Sequence, residues 1–465
     1  MGAPTLSSLL IALTISFHMC LMVAGDGNAA IETKRQALGI IIGGGGPSPS
    51  PEYSECPPPP PPPEPECPPP PSPPPPPSPP PPPKPPPKPT PKILPNLMRD
   101  YKTIQAFKAT IECDPQGIKK SWTGRDVCKY KGFACATAPD LKVRALAAAD
   151  FNNYNFYGRN LKIAGLVNEL KDLSIFHINS NNFSGPVPED IDKIRYLYEL
   201  DLSNNKFTGG FPMSVLNAKN LTFLDLRFNT FFGHIPAGVF NLDVDVIFLN
   251  NNNFEGPIPD NLASTPVLYL TFANNKFNGP IPSSIGKAKK LLEVLFLNNQ
   301  FTGCLPYEIG FLKQTTVFDV GTNKLSGPIP HSFGCLASMQ LLNLARNEFY
   351  GTVPESVCSL PKLSNLSLSY NYFTEVGPEC RKLINSKVLN VKMNCILDLP
   401  DQRSAAECKK FFSRSIKCPN ARSLTYVPCK KGGYSVPQTA DKQSEAKAAQ
   451  PPKSYNALSP QKMRY

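Results

Sequence analysis

The sequence predicts an α/β solenoid of about ten short repeats, and three observations carry that prediction. The pattern L-x-x-L-x-L-x-x-N-x-F-x-G-x-I-P recurs between residues 173 and 378, with its asparagine at Asn181, Asn205, Asn229, Asn252, Asn275, Asn299, Asn323, Asn347 and Asn371. The period is 24 residues with two intervals of 23, a length that gives each unit one short strand and a return arm. Apolar residues such as Leu221, Leu224 and Leu226 recur at fixed offsets, so they stack on their counterparts one repeat away. Cysteines gather just before and just after the repeats, which suits disulfide-pinned ends on an open stack.

Taken in order, the chain opens with residues 6–24, an apolar stretch without Asp, Glu, Lys or Arg that ends in small residues. It predicts a signal peptide over residues 1–25, with an N-terminal membrane anchor as the alternative. Residues 26–92 form a Gly/Pro-rich linker; 31 of the 49 residues from Pro47 to Pro95 are proline. Proline removes the amide donor and fixes φ, so this arm should be disordered or extended polyproline II. Residues 93–142 predict an N-terminal helical cap, because Leu97, Tyr101, Ile104, Phe107 and Ile111 form one apolar stripe. The single Trp122, and Cys128 with Cys135, follow it. The repeats occupy residues 143–378, beginning with a degenerate copy.

After Asn371 the pattern lapses, and Cys380, Cys395, Cys408, Cys418 and Cys429 mark a C-terminal cap over residues 379–429. Their spacings contain no C-x-x-C pair, so disulfides are favoured over a metal site. The last segment, 430–465, has a disordered composition. After removal of the leader, 13 cysteines remain, an odd number that allows a homodimer through an unpaired cysteine.

The formal net charge is +12, yet residues 173–378 hold 16 Asp and Glu against 13 Lys and Arg, a net of −3, so the flanks carry +15. No basic helix or aromatic platform accompanies that charge, which argues against nucleic acid. Acidic polysaccharide such as pectin suits basic flanks on a secreted chain. Three sequons, at Asn182, Asn220 and Asn365, agree with secretion. No later apolar run is long enough to span a bilayer.

The repeat consensus and its G-x-I-P extension resemble plant leucine-rich repeats. The stretches "FKATIECDPQGIKKSWTGRDVCKYKGFAC", "LSIFHINSNNFSG", "FTGCLPYEIG", "SLSYNYF" and "CKKFFSRSIKC" are together similar to the leucine-rich repeat extensins of plant cell walls, over roughly residues 97–420. That resemblance implies an N-terminal cap in which a helix and a disulfide shield the first coil, a cell-wall location, and a small basic Cys-rich signalling peptide as ligand. It also implies hydroxylated, arabinosylated prolines in the serine-proline blocks. The order departs from the family: those chimeras carry their extensin module after the repeats, whereas the proline blocks here precede them.

On such a strand the residues six, four and two before the asparagine face the concave surface. Glu199, Asp201, Phe223, Asp225, Arg227, Phe248, Tyr269, Leu295 and Leu297 stand out there as an apolar diagonal rimmed by charge, the composition of a peptide-binding or protein-binding surface. Cross-strand packing is the alternative account of the aromatic residues. His177 lies on this face, and His234 and His331 are expected in loops. No nucleophile stands beside a base and no cofactor motif is present, which argues against an enzyme. Three functions are compatible with these features: a peptide-binding wall module, a structural wall protein, or an inhibitor of a pathogen polygalacturonase.

Overall fold

A computed structural model describes residues 94–414, 418–419 and 421–429. The expected signal peptide, proline-rich linker and C-terminal tail lie outside the described residues.

Each repeat contributes two strands, and the strands stack into two sheets. Among the described residues the larger sheet has 12 strands, running from an antiparallel pair, Phe133–Thr137 with Arg144–Asp150, through one parallel strand per repeat to Leu389–Asn390. The second sheet has nine strands, from Ser184–Gly185 to Tyr372–Val376. Single 3-10 turns such as Met213–Asn217 and Ser283–Lys287 return the chain on the convex side.

The consensus asparagines close these coils. Asn205 Nδ2 donates to the carbonyls of Leu202 and Ser203 in its own turn and of Ile178 in the preceding one, while its Oδ1 accepts from Phe183 N. One amide thus meets four backbone groups that leave the strand without ladder partners, which is why no other side chain substitutes well. Behind the ladder runs a stack of phenylalanines. Phe183, Phe207, Phe231, Phe254, Phe277 and Phe301 lie with neighbouring ring centroids 6.0–6.3 Å apart and near-parallel planes.

The N-terminal end of the stack is covered by helix α1, Pro95–Lys108. The apolar stripe read from the sequence runs on to Ile111, but the helix ends at Lys108 and Ile111 is buried in the turn that follows. Ile104 and Phe107 face the core, and Phe107 continues the spine by stacking on Phe183 at 6.0 Å. Arg99 ties this helix to the first arm, contacting Asp100 and Asp172 at 2.7 and 2.8 Å. Trp122 is fully buried, its Nε1 donating to Lys131 O, and Cys128 is bonded to Cys135.

At the other end the repeats run one coil further than the sequence pattern indicated. Asn394 donates to Leu368 O, Val391 O and Lys392 O and accepts from Phe373 N, a further rung of the ladder inside the expected cap. Helix α2, Glu355–Cys358, and helix α3, Pro378–Asn385, are linked by Cys358–Cys380; helix α4, Ala405–Phe412, opens on a capping box from Ser404 and Glu407. Cys395 pairs with Cys408. The chain then turns back along the repeats, where Cys418 pairs with Cys304 and Cys429 with Cys335. Three cysteines inside the repeats therefore anchor C-terminal ones. Gly327, at φ +93°, makes room for the returning segment: a Cβ there would stand 2.4 Å from Cys418 Sγ.

Candidate binding face

The repeat strands of the larger sheet put one leucine, isoleucine, valine or phenylalanine into the core and its two neighbours onto the concave face. In Glu199–Asp201 the central Leu200 is buried, and the register Glu199↔Phe223 and Asp201↔Asp225 aligns the flanking residues into columns. All nine residues singled out from the sequence stand in or beside these columns, but their environments divide.

Near the N-terminal end the columns are charged. His177 Nε2 lies 3.0 Å from Glu199 Oε2, with both side chains slightly exposed. Burial opposes protonation of His177, but Glu199, Asp201 and Asp150 outweigh it and hold its pKa above the ordinary value. Asp201 accepts from Ser203 N, from Ser203 Oγ and from Asn179 Nδ2. Asp225 has no exposure; it accepts from Arg227 N, and Arg227 Nε stands 2.9 Å from its Oδ2. Burial drives the Asp225 carboxyl up to about 8, Asp201 adds to the rise, and Arg227 opposes it. The Arg227 guanidinium also sits 4.9 Å over the Phe248 ring, and Phe248 meets Phe223 edge-on at 6.2 Å.

The middle of the diagonal is closed rather than open. Phe248, Tyr269 and Leu295 are buried, while Phe223 and Leu297 remain half-buried. Strands lie about 4.8 Å apart, so large side chains in one column cover each other laterally. The expectation that these positions are exposed is corrected for those three residues, and the accessible part of the face shifts toward the N-terminus. Asp201 and Asp225 likewise form a buried pair with hydrogen-bond partners, not two open carboxylates. His234 and His331 lie in the strand Thr230–His234 and the turn His331–Cys335, not in loops.

Two accessible residues escaped the sequence reading. Asp150, at the end of the degenerate first repeat, is exposed and pairs in register with His177, extending the acidic column by one strand. Phe228 is 45% exposed and has φ +52°. Its column otherwise holds Ser180, Asn204, Asn251, Asn274, Asn298, Thr322, Arg346 and Tyr370, all at positive φ. A phenylalanine there is strained by roughly 1–2 kcal/mol, and in the sequence it stands out as the one apolar side chain between the asparagines of the neighbouring repeats.

Of the sequon asparagines, Asn220 and Asn365 are exposed and Asn182 is half-buried. Asn365 begins the concave strand Asn365–Ser367, at the C-terminal end of the face. No helix among the described residues is long and apolar enough to cross a membrane, and no cluster of His, Cys, Asp and Glu among them could hold a metal.

Residues 196–218 and 220–242 match the family described as Leucine Rich Repeat. Leucine-rich repeat extensin-like protein 1 of Arabidopsis thaliana is 42% identical over 109 residues, 23% of this chain and 14% of that protein. Leucine-rich repeat extensin-like protein 4 of the same plant is 43% identical over 102 residues, 22% of this chain and 20% of that protein. These matches span a fifth or less of the relatives' own length. Among solved structures, the leucine-rich repeat ectodomain of the Arabidopsis receptor kinase GASSHO1/SCHENGEN3, in complex with Casparian strip integrity factor 2, superposes with a TM-score of 0.53 at 23% identity, covering 60% of this chain and 36% of that one. A plant ice-binding protein superposes with a TM-score of 0.52 at 21% identity, covering 66% of this chain and 98% of that one. Both are likenesses of fold alone. The repeated coils, the asparagine ladder and these matches agree: the chain is a leucine-rich repeat protein and a relative of the leucine-rich repeat extensin-like proteins.

Proposed function

We propose that this chain is a secreted, wall-associated module that binds a small basic peptide or protein on the N-terminal half of its concave face, while its proline-rich arm and basic flanks contact acidic wall polysaccharide. The observation that carries the binding reading is the company Phe228 keeps. An exposed, strained aromatic borders a face on which Asp150 and Glu199 supply acidic groups and Phe223 an accessible ring. Aromatic anchors beside acidic groups suit a partner that presents both apolar and cationic side chains. A sugar on Asn365 would cover the opposite end of the face and leave this half open.

The test is titration of small basic Cys-rich peptides against the purified secreted protein. Binding in the micromolar range or tighter is expected, and a Glu199→Ala, Phe223→Ala, Phe228→Gly variant should weaken it at least tenfold, about 1.4 kcal/mol. Asp225 and Phe248 are poor choices for such a variant, because both are buried and their loss would act through folding. Unchanged binding by the triple variant would sink the assignment.

A further inference from the structure

On the convex side, between the turns Leu262–Ser264 and Ser283–Lys287, lies a cleft of about 550 Å³ lined by Asp260, Asn261, Ser264, Ser284, Lys287 and Lys289. That size is within the roughly 300–1,000 Å³ of small-molecule sites. The cleft belongs to neither the ladder nor the concave face.

Its polar groups are incompletely used. Asn261 Nδ2 donates to Ala237 O and Asn241 Oδ1, which fixes the amide and leaves Asn261 Oδ1 without a hydrogen-bond partner. Ser284 Oγ also lacks one. Buried polar atoms in this state cost stability unless a ligand or water completes them.

The cations around the cleft are unneutralised. Lys287 and Lys289 are exposed, Lys290 follows, and Lys313 comes close enough to repel Lys289. Burial first, and then Lys313, lowers the Lys289 pKa. Lys289 Nζ donates to Gly286 O and lies 4.6 Å from the centre of the Phe311 ring, which holds it in place. Among the described residues none of these four lysines makes an ion pair.

The mixture discriminates between ligand classes. A phosphate would satisfy the lysines but would face the Asp260 carboxylate and the Asn261 carbonyl, both acceptors. A neutral sugar would satisfy the acceptors and leave the lysines unused. A uronic acid carries a carboxylate and several hydroxyls on one ring and so meets both sets. We propose that this convex cleft is a subsite for a uronic acid residue of an acidic polysaccharide, with Lys287 and Lys289 on the carboxylate and Asp260, Asn261 and Ser284 on the hydroxyls. It is a second site, independent of the concave-face reading.

The experiment is calorimetric titration of the full secreted chain with a short galacturonate oligomer and with its methyl ester. The acid form should bind and the ester should not. A Lys287→Gln, Lys289→Gln variant should weaken binding about tenfold, the scale of losing charge-assisted hydrogen bonds. Ser284→Ala, which leaves every charge in place, should weaken it about threefold, the scale of one neutral hydrogen bond. The lysine variant should melt like the parent, since both lysines are exposed, and Ser284→Ala should melt no lower, since its hydroxyl has no partner to lose. Equal binding of the ester, of inorganic phosphate, or by the lysine variant would overturn the proposal. So would a loss seen in the lysine variant alone, which is general attraction of a polyanion to a basic chain.

Discussion

The two halves of the solenoid are built to one plan and held in different ways. From Asn299 onward, Cys304–Cys418, Cys335–Cys429 and Cys358–Cys380 fasten the outer surface, and the concave columns carry small or polar residues such as Gly321, Asn343, Ala345 and Ser367. Between Asn181 and Asn275 there is no cysteine at all. That half relies on helix α1 with its local Cys128–Cys135 bond, the phenylalanine stack and the ladder, yet it carries the fully buried Asp225, the histidine among acids and the exposed, strained phenylalanine. The disulfides that fasten the repeats themselves thus lie in the other half from these side chains.

The largest effect should come from unfastening the braced half. The Cys335–Cys429 bridge closes a 94-residue separation, and a loop of that order is worth up to about 4–5 kcal/mol in the chain-entropy account, with ~2–4 typical. A Cys335→Ser, Cys429→Ser variant should lose about 3 kcal/mol in thermal unfolding, while peptide binding at the other end stays within twofold. An unchanged melting temperature would remove the distinction between braced and unbraced halves.

Next in size is the ladder. Asn229 is buried, donates to Leu202 O, Leu226 O and Arg227 O, and accepts from Phe207 N. Asn229→Ala strands those groups and should cost about 3 kcal/mol by denaturant midpoint. Asn323, with the same four contacts in the other half, should cost a similar amount. A much smaller loss at Asn323 would show that the disulfides carry the C-terminal half without the ladder.

Protonation should separate the halves further. Asp225 holds its proton up to about pH 8 in the folded chain, against about 3.9 when unfolded, and the His177 pKa is also raised. In both cases the folded state binds more protons, so the stability each group contributes is present at low pH and is lost as pH rises, for Asp225 between about pH 4 and 8. As Asp225 ionises the face gains negative charge, so affinity for a basic peptide should rise as stability falls. Asp225→Asn should flatten the dependence of melting temperature on pH, and a slope equal to that of the parent would dismiss this account.

How much of this was visible in the chain follows from the range of each interaction. The asparagines, leucines and phenylalanines repeat every 23 or 24 residues and act on the next coil, so periodicity alone revealed them. Helix α1 was legible from its stripe. The pairing of Cys304 with Cys418 was not, because it depends on the path by which the tail returns, and local spacing carries no trace of it. Asn394 was missed when the G-x-I-P signal disappeared, although Leu389 and Val391 keep their offsets before it. Burial of Phe248 and Leu295 depends on neighbours one repeat away, and a single strand's alternation cannot report lateral cover.

Phe228 offers the finest discrimination. Replacing it with glycine, which adopts positive φ freely and, unlike asparagine, makes no sequon with Thr230, relieves a backbone conformation that phenylalanine tolerates poorly and removes an exposed ring. Phe228→Gly should therefore raise stability by about 1 kcal/mol and lower peptide affinity, two changes of opposite benefit from one substitution. Tyr370 supplies the control. It shares the positive φ, but the Arg346 guanidinium lies 4.3 Å over its ring, at the end of the face that a sugar on Asn365 would cover. Loss of that contact should offset the relief of strain, so Tyr370→Gly should leave stability within about 0.5 kcal/mol, the usual range for a surface change, and binding unaltered. If Phe228→Gly gains stability with no loss of binding, the strain at Phe228 serves no contact, and the asymmetry between the halves is one of bracing alone.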